Sequence, residues 1–180
     1  MRLRGMMVVL LASSLGACAK DSSVCTTRVT PEVCATPSNL RGVESVQGSW
    51  SSAPAPDLVA QPLEDGRYVQ IALELYCPEG FPAPSEAPSV QAVTEIEGCV
   101  MRLTLVSPAL EAPVVDVHTF RYGAGSTLDL TPACSTDEPS VDGRRYGFDG
   151  TILQFSSPSD QTGSDGVAYG CERIDSFELR

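Results

Sequence analysis

The sequence predicts an all-β, antiparallel protein of about eight strands, closed as a barrel or stacked as a sandwich, and three observations carry that prediction. In YVQIALELY, Val69, Ile71, Leu73 and Leu75 alternate with Tyr68, Gln70, Ala72, Glu74 and Tyr76, the two-residue period of a half-buried strand. Further short β-like runs recur at near-regular spacing between Gly, Pro, Ser and Asp turns, the pattern of sandwiches and barrels. After the leader no stretch keeps helical periodicity, and fourteen prolines in the chain cut most candidates short.

Taken in order, residues 1–17 (MRLRGMMVVLLASSLGA) have a basic start, an apolar run from Gly5 to Leu11 and small residues at the end. That is the three-part secretory signal pattern, and its apolar run is too short to span a membrane. Leu15-Gly16-Ala17-Cys18 resembles the bacterial lipobox, and the resemblance implies an acylated Cys18 as the first mature residue. Two or more chains anchor stably, since each buried methylene contributes about 0.8 kcal/mol. The competing cut, after Ala17-Cys18-Ala19, would release a soluble protein. In Gram-negative lipoproteins an aspartate after the acylated cysteine commonly signals inner-membrane retention; Ala19 stands here, so the resemblance favours the outer membrane. Residues 18–46, rich in Ser, Thr and Pro, read as a tether, and 47–180 as a disulfide-tied β domain.

Within that domain the ambiguous SVQAVTEIEG, with Val90, Val93 and Ile96, is read as a strand. CVMRLTLV places Met101, Leu103 and Leu105 on one face, VVDVHTFRY follows, and STLDLT repeats the pattern with Leu128 and Leu130. TILQF and CERIDSFELR close the series. The segments beginning at Tyr122-Gly123 and Tyr146-Gly147 echo each other, each read as a turn feeding an outgoing strand. At the head of the domain, Gly48-Ser49-Trp50 carries the G-x-W that opens the first strand of lipocalin-like barrels. This resemblance implies a barrel over Gln47 to Arg180, a tryptophan closing one end against Arg173 or Arg180, and a small apolar ligand in a cavity. Trp50 is read as a core residue, not a ligand contact. The family's second signature, around a T-D-Y turn, is absent.

Seven cysteines become six once Cys18 is assigned to lipid: Cys25, Cys34, Cys77, Cys99, Cys134 and Cys171. Without CxxC or zinc spacing they read as three disulfides, expected from local proximity as Cys25–Cys34, Cys77–Cys99 and Cys134–Cys171. Net charge is −11, and removing Arg2 and Arg4 with the leader leaves 10 basic against 23 acidic residues, or −13. Such a surface disfavours nucleic acid and anionic headgroups.

Candidate chemistry is sparse. His118, the sole histidine, would share a strand face with Asp116, but no nucleophile accompanies the pair and no G-x-S-x-G elbow exists. Gly123-Ala124-Gly125-Ser126 lacks the lysine of a phosphate loop and reads as a hairpin turn. Asp137, Glu138, Asp142, Asp149, Asp160 and Asp165 lie in turns without a calcium-loop spacing. No catalytic residue, metal site or cofactor is expected. The expectation is a membrane-anchored envelope module that binds a small apolar ligand or an envelope partner, with a filled-core interaction or structural lipoprotein as the alternative.

Overall fold

The computed structural model describes Thr27, 29–134 and 141–180; the leader, the lipobox and Cys25 lie outside these residues. One short helix, α1 (Pro31–Ala35), precedes two very short strands, β1 (Val46–Gln47) and β2 (Ser49–Ser51), and then eight longer ones. These are β3 (Gly66–Tyr76), β4 (Ser89–Glu97), β5 (Val100–Val106), β6 (Val114–Tyr122), β7 (Thr127–Pro132), β8 (Asp142–Phe148), β9 (Ile152–Thr162) and β10 (Ala168–Leu179).

Each long strand pairs antiparallel with the next, and β10 returns to β3 through Glu172↔Tyr76 to Leu179↔Tyr68. The sheet is therefore a closed eight-stranded up-and-down barrel, not a sandwich, and closure leaves the meander without a free edge. Alternation drives it. Tyr68, Phe120, Leu128, Leu130, Phe148 and Leu153 point into one continuous apolar core, while Val69 and Val93, one residue out of phase, pack with Val43 and Leu40 in a separate cluster.

The ends of the barrel differ. At one, β4–β5, β6–β7 and β8–β9 are joined by tight turns of two to four residues. Gly98, at φ +60°, holds the first position of the two-residue β4–β5 turn, where a II′ hairpin requires a left-handed residue. A strap crosses this end and seals it: Phe148 N donates to Val59 O, Leu63 N to the Tyr122 hydroxyl, and the Tyr146 hydroxyl to Gln61 O. Leu63 is 6% exposed and enters the core. At the other end lie the longer connections 77–88, 107–113 and 163–167, and the ends of the β7–β8 connection at Cys134 and Val141.

The N-terminal segment completes the wall. Pairing between β3 and β4 stops at Val69↔Val93, and beyond it the chain from Val46 to Ser51 runs into the seam. There β1 pairs antiparallel with β4 through Val46↔Val90, while β2 pairs parallel with β3 through Trp50↔Leu75. Between them Gly48 N donates to Pro88 O at 2.7 Å. Gly48 and Trp50 thus lie on a short closing strand, and the first long strand of the barrel is β3. Upstream, Ser38 donates to Glu95 and its N–H to Thr104 Oγ1, fastening residues around 38 to the outer wall. Arg102 also binds Glu95, and this contact with Ser38 outweighs the opposing effect of burial, holding the Glu95 carboxyl below its ordinary value.

The expected disulfide pairing is corrected. Cys34 bonds Cys134, and Cys77 bonds Cys171; Cys99 is also disulfide-bonded. Cys77 follows β3 whereas Cys99 follows β4, so antiparallel pairing puts them at opposite ends of the barrel. Closure brings Cys171 beside Cys77, one position beyond the Glu172↔Tyr76 pair. The echo at Tyr146 is corrected in detail: Tyr146 to Phe148 finish β8, and the turn follows them.

Candidate functional site

All eight long strands contribute a side chain to one cavity inside the barrel. Its floor is apolar, with Met101, Leu130, Phe155 and Phe177 on the side of the sealed end. The polar lining residues are Gln70, Thr94, Asp116, His118, Arg144, Arg173 and Asp175, interspersed with Ala92, Leu103 and Leu105. On β10, Arg173 and Asp175 share a face, and Arg173 Nε and Nη2 donate to the two Asp175 oxygens at 2.7 and 2.8 Å. Gln70, arriving on the adjacent strand β3, donates its Nε2 to Asp175 Oδ1 at 2.7 Å. Asp175 therefore accepts from three donors.

Asp116 and His118 share a face of β6 as the alternation requires, with Nδ1 3.5 Å from Asp116 Oδ1. Burial is the largest influence on the imidazole and holds it below its ordinary value; Arg144 adds to this, while Asp116 and Asp142 oppose it. At the sealed end burial pushes the Tyr68 and Tyr146 phenols up to about 12.

The cavity measures about 40 Å³. A water molecule needs about 10–15 Å³ of such space, whereas small-molecule sites span roughly 300–1,000 Å³. The space suits a few waters among polar groups, one of which is Gln70 Oε1, buried without a hydrogen-bond partner. Arginine, aspartate and histidine side chains are also unsuited to an apolar ligand. Chemically the arrangement offers a base without a nucleophile: Thr94 is the only hydroxyl on the lining. Among the described residues no group of three or more His, Cys, Asp or Glu could hold a metal ion.

The other expected site residues are dispersed. Trp50 lies 5.2 Å from Phe81 and packs with Leu75 and the Cys77–Cys171 bridge. Of the two arginines expected against it, Arg173 pairs with Asp175 and Arg180 with Glu178. Gly123–Ser126 is the β6–β7 turn. Asp149 and Asp165 accept backbone N–H groups in their own turns, and Asp137 and Glu138 lie outside the described residues. Sequence reasoning missed Gln70, Arg144, Arg173 and Asp175 as a group. Alternation could have placed Arg144, Arg173 and Asp175 on inward faces, whereas Gln70, set on the polar face by alternation, lies inward opposite Phe177 across a register shift; only the register brings them together.

Comparison with protein families, curated proteins and solved structures found no match for this chain.

Proposed function

We propose that this protein is a membrane-anchored envelope lipoprotein that acts through its outer surface, engaging an envelope partner without catalysis and without carrying a small molecule. The observation behind the reading is the filled barrel: about 40 Å³ of lumen, lined by apolar and charged side chains alike, leaves no room for a ligand of ordinary size. The anchor rests on Leu15-Gly16-Ala17-Cys18 and the signal-like run before it. The acidic chain, at −11, gains nothing from anionic headgroups, so attachment falls to the lipid.

The test is native mass spectrometry of the full chain expressed in a bacterium with its leader and purified in mild detergent. The expected mass is that of a triacylated chain starting at Cys18, with no further adduct that leaves on denaturation. A bound small molecule would overturn the surface reading. A mass beginning at Lys20 or Ala19 without lipid would overturn the anchor.

A further inference from the structure

We infer that the sealed end of the barrel faces the membrane that holds the lipid, its strap resting on the bilayer interface and its long loops pointing away. The inference rests on the anchor proposed above and adds the face that this anchor turns to the bilayer. The route of the chain carries it. Thr27 lies beside Gly98 in the β4–β5 turn of the sealed end, where a Cβ on the glycine would stand 2.6 Å from Thr27 Oγ1. Cys99, the next residue, is disulfide-bonded. The four other described cysteines are paired among themselves, so its partner comes from the chain before Thr27. Residues 18–26 reach at most about 30 Å when fully extended. The barrel is about as tall, since β9 runs 11 residues at about 3.3 Å each and barrel strands tilt by about 40°. A lipid on Cys18 therefore keeps the sealed end near the bilayer. The long loops could touch it only with the tether drawn out along the outer wall, and the Cys99 bridge shortens that tether further.

The surface at this end suits such a contact. The strap, Ala53-Pro54-Ala55-Pro56-Asp57-Leu58-Val59-Ala60-Gln61-Pro62, carries a single charge. Val59 on it is 73% exposed, more than any other large aliphatic side chain among the described residues. Its three prolines, all exposed, bring no backbone N–H that the interface would have to satisfy. Around the strap carboxylates prevail: Glu64, Asp65, Glu97 and Asp149 join Asp57, against Arg67 and Arg121. Arg121 stands opposite Asp129, Arg180 pairs with Glu178, and on the wall below Arg102 pairs with Glu95. Anionic headgroups gain nothing here, so the contact is made by the apolar strap under the constraint of the lipid.

The strap is held in shape before it meets lipid. Besides the bonds at Val59, Gln61 and Leu63, Ser126 Oγ donates to Leu58 O at 3.1 Å and the Tyr68 hydroxyl to Glu64 O at 2.8 Å. Leu58, 7% exposed, is buried while its neighbour Val59 is presented to solvent. A pre-ordered contact loses less entropy on binding.

The experiment places the lipidated full chain in phosphatidylcholine vesicles, with flotation confirming attachment. In a Trp50→Phe background, Val59→Trp and Val167→Trp put one tryptophan at either end, and lipids brominated in their acyl chains quench the ring that meets the bilayer. Circular dichroism checks each fold. The emission of Val59→Trp is expected to fall severalfold further than that of Val167→Trp. Hydrogen exchange of the unsubstituted chain is the companion measurement, free of any new aromatic ring. Amides of residues 57–61 are expected to exchange severalfold more slowly on vesicles than in the same chain exported without lipid behind an ordinary cleavable leader, while those of 163–167 are unchanged. Equal quenching at the two ends, stronger quenching of Val167→Trp, or strap exchange that the vesicles leave unaltered would overturn the inference. A chain that fails to float overturns the anchor and this inference with it; one that floats with its strap unprotected removes the inference alone.

Discussion

Asp175 organises the polar side chains of the lumen, because Arg173 and Gln70 both direct donors at it. Removing the acceptor strands two partly buried donors, so Asp175→Ala is expected to lose about 1–3 kcal/mol in urea unfolding. Replacing the pair together, as Arg173→Met/Asp175→Leu, is expected to cost less than the single change, since no charge is left behind. His118 sets a pH response of known sign. Its folded value lies below the ordinary 6.5, so the unfolded chain binds more protons between the two values. Stability is then full above about pH 6.5 and declines as pH falls from there through the lower folded value. Thermal unfolding from pH 8 to pH 5 should show this decline, and His118→Gln should reduce it; an identical profile in the variant would assign the decline to other groups.

At the level of elements, the closing strand depends on a missing side chain. A Cβ on Gly48 would meet Pro88 Cγ and O at 3.2 Å and Leu73 Cδ2 at 3.3 Å, and the carbonyl oxygen belongs to the hydrogen bond that seats the strand. Gly48→Val is expected to destabilise by about 1–3 kcal/mol, with faster amide exchange at Val46 and Val90 than in β9 and β10. Unchanged exchange would mean that the seam tolerates the bulk. The G-x-W segment was legible as strand-like, but its parallel pairing with β3 was not, because nothing local distinguishes a first barrel strand from a wedge. The long strands were readable where apolar residues alternate, and in β5 the apolar face was too. In β3 the expected face is split, Val69 packing outside the core and Ile71 exposed, because the pairing with β10 shifts register at Ser176 and Phe177. In DGRRYGF the glycines and aspartate masked an alternation in which Arg144, Tyr146 and Phe148 all face inward. Asp116 and His118 were legible as neighbours because both stand on β6. Their companions come from β3, β8 and β10, and only the register of a closed sheet assembles them.

For the molecule as a whole, stability is distributed between the core and links that join its distant parts. Cys77–Cys171 spans 94 residues and joins the first long strand to the last; removing it by Cys77→Ser/Cys171→Ser is expected to cost about 2–4 kcal/mol in urea unfolding. A loss under about 1 kcal/mol would mean that β3–β10 pairing holds the closure unaided. The same connectivity bears on how the chain matures. Cys34 and Cys134 are separated along the chain by Cys77 and Cys99, and Cys77 and Cys171 by Cys99 and Cys134. On the export proposed above, the chain would present its thiols one at a time, N-terminus first, and an oxidase acting in order of arrival would join sequential neighbours instead. Thiol–disulfide exchange can correct such pairs, and the correct partner of Cys77 arrives only when β10 does. Production of this protein in quantity should therefore be limited by disulfide isomerase supply more than by oxidising power.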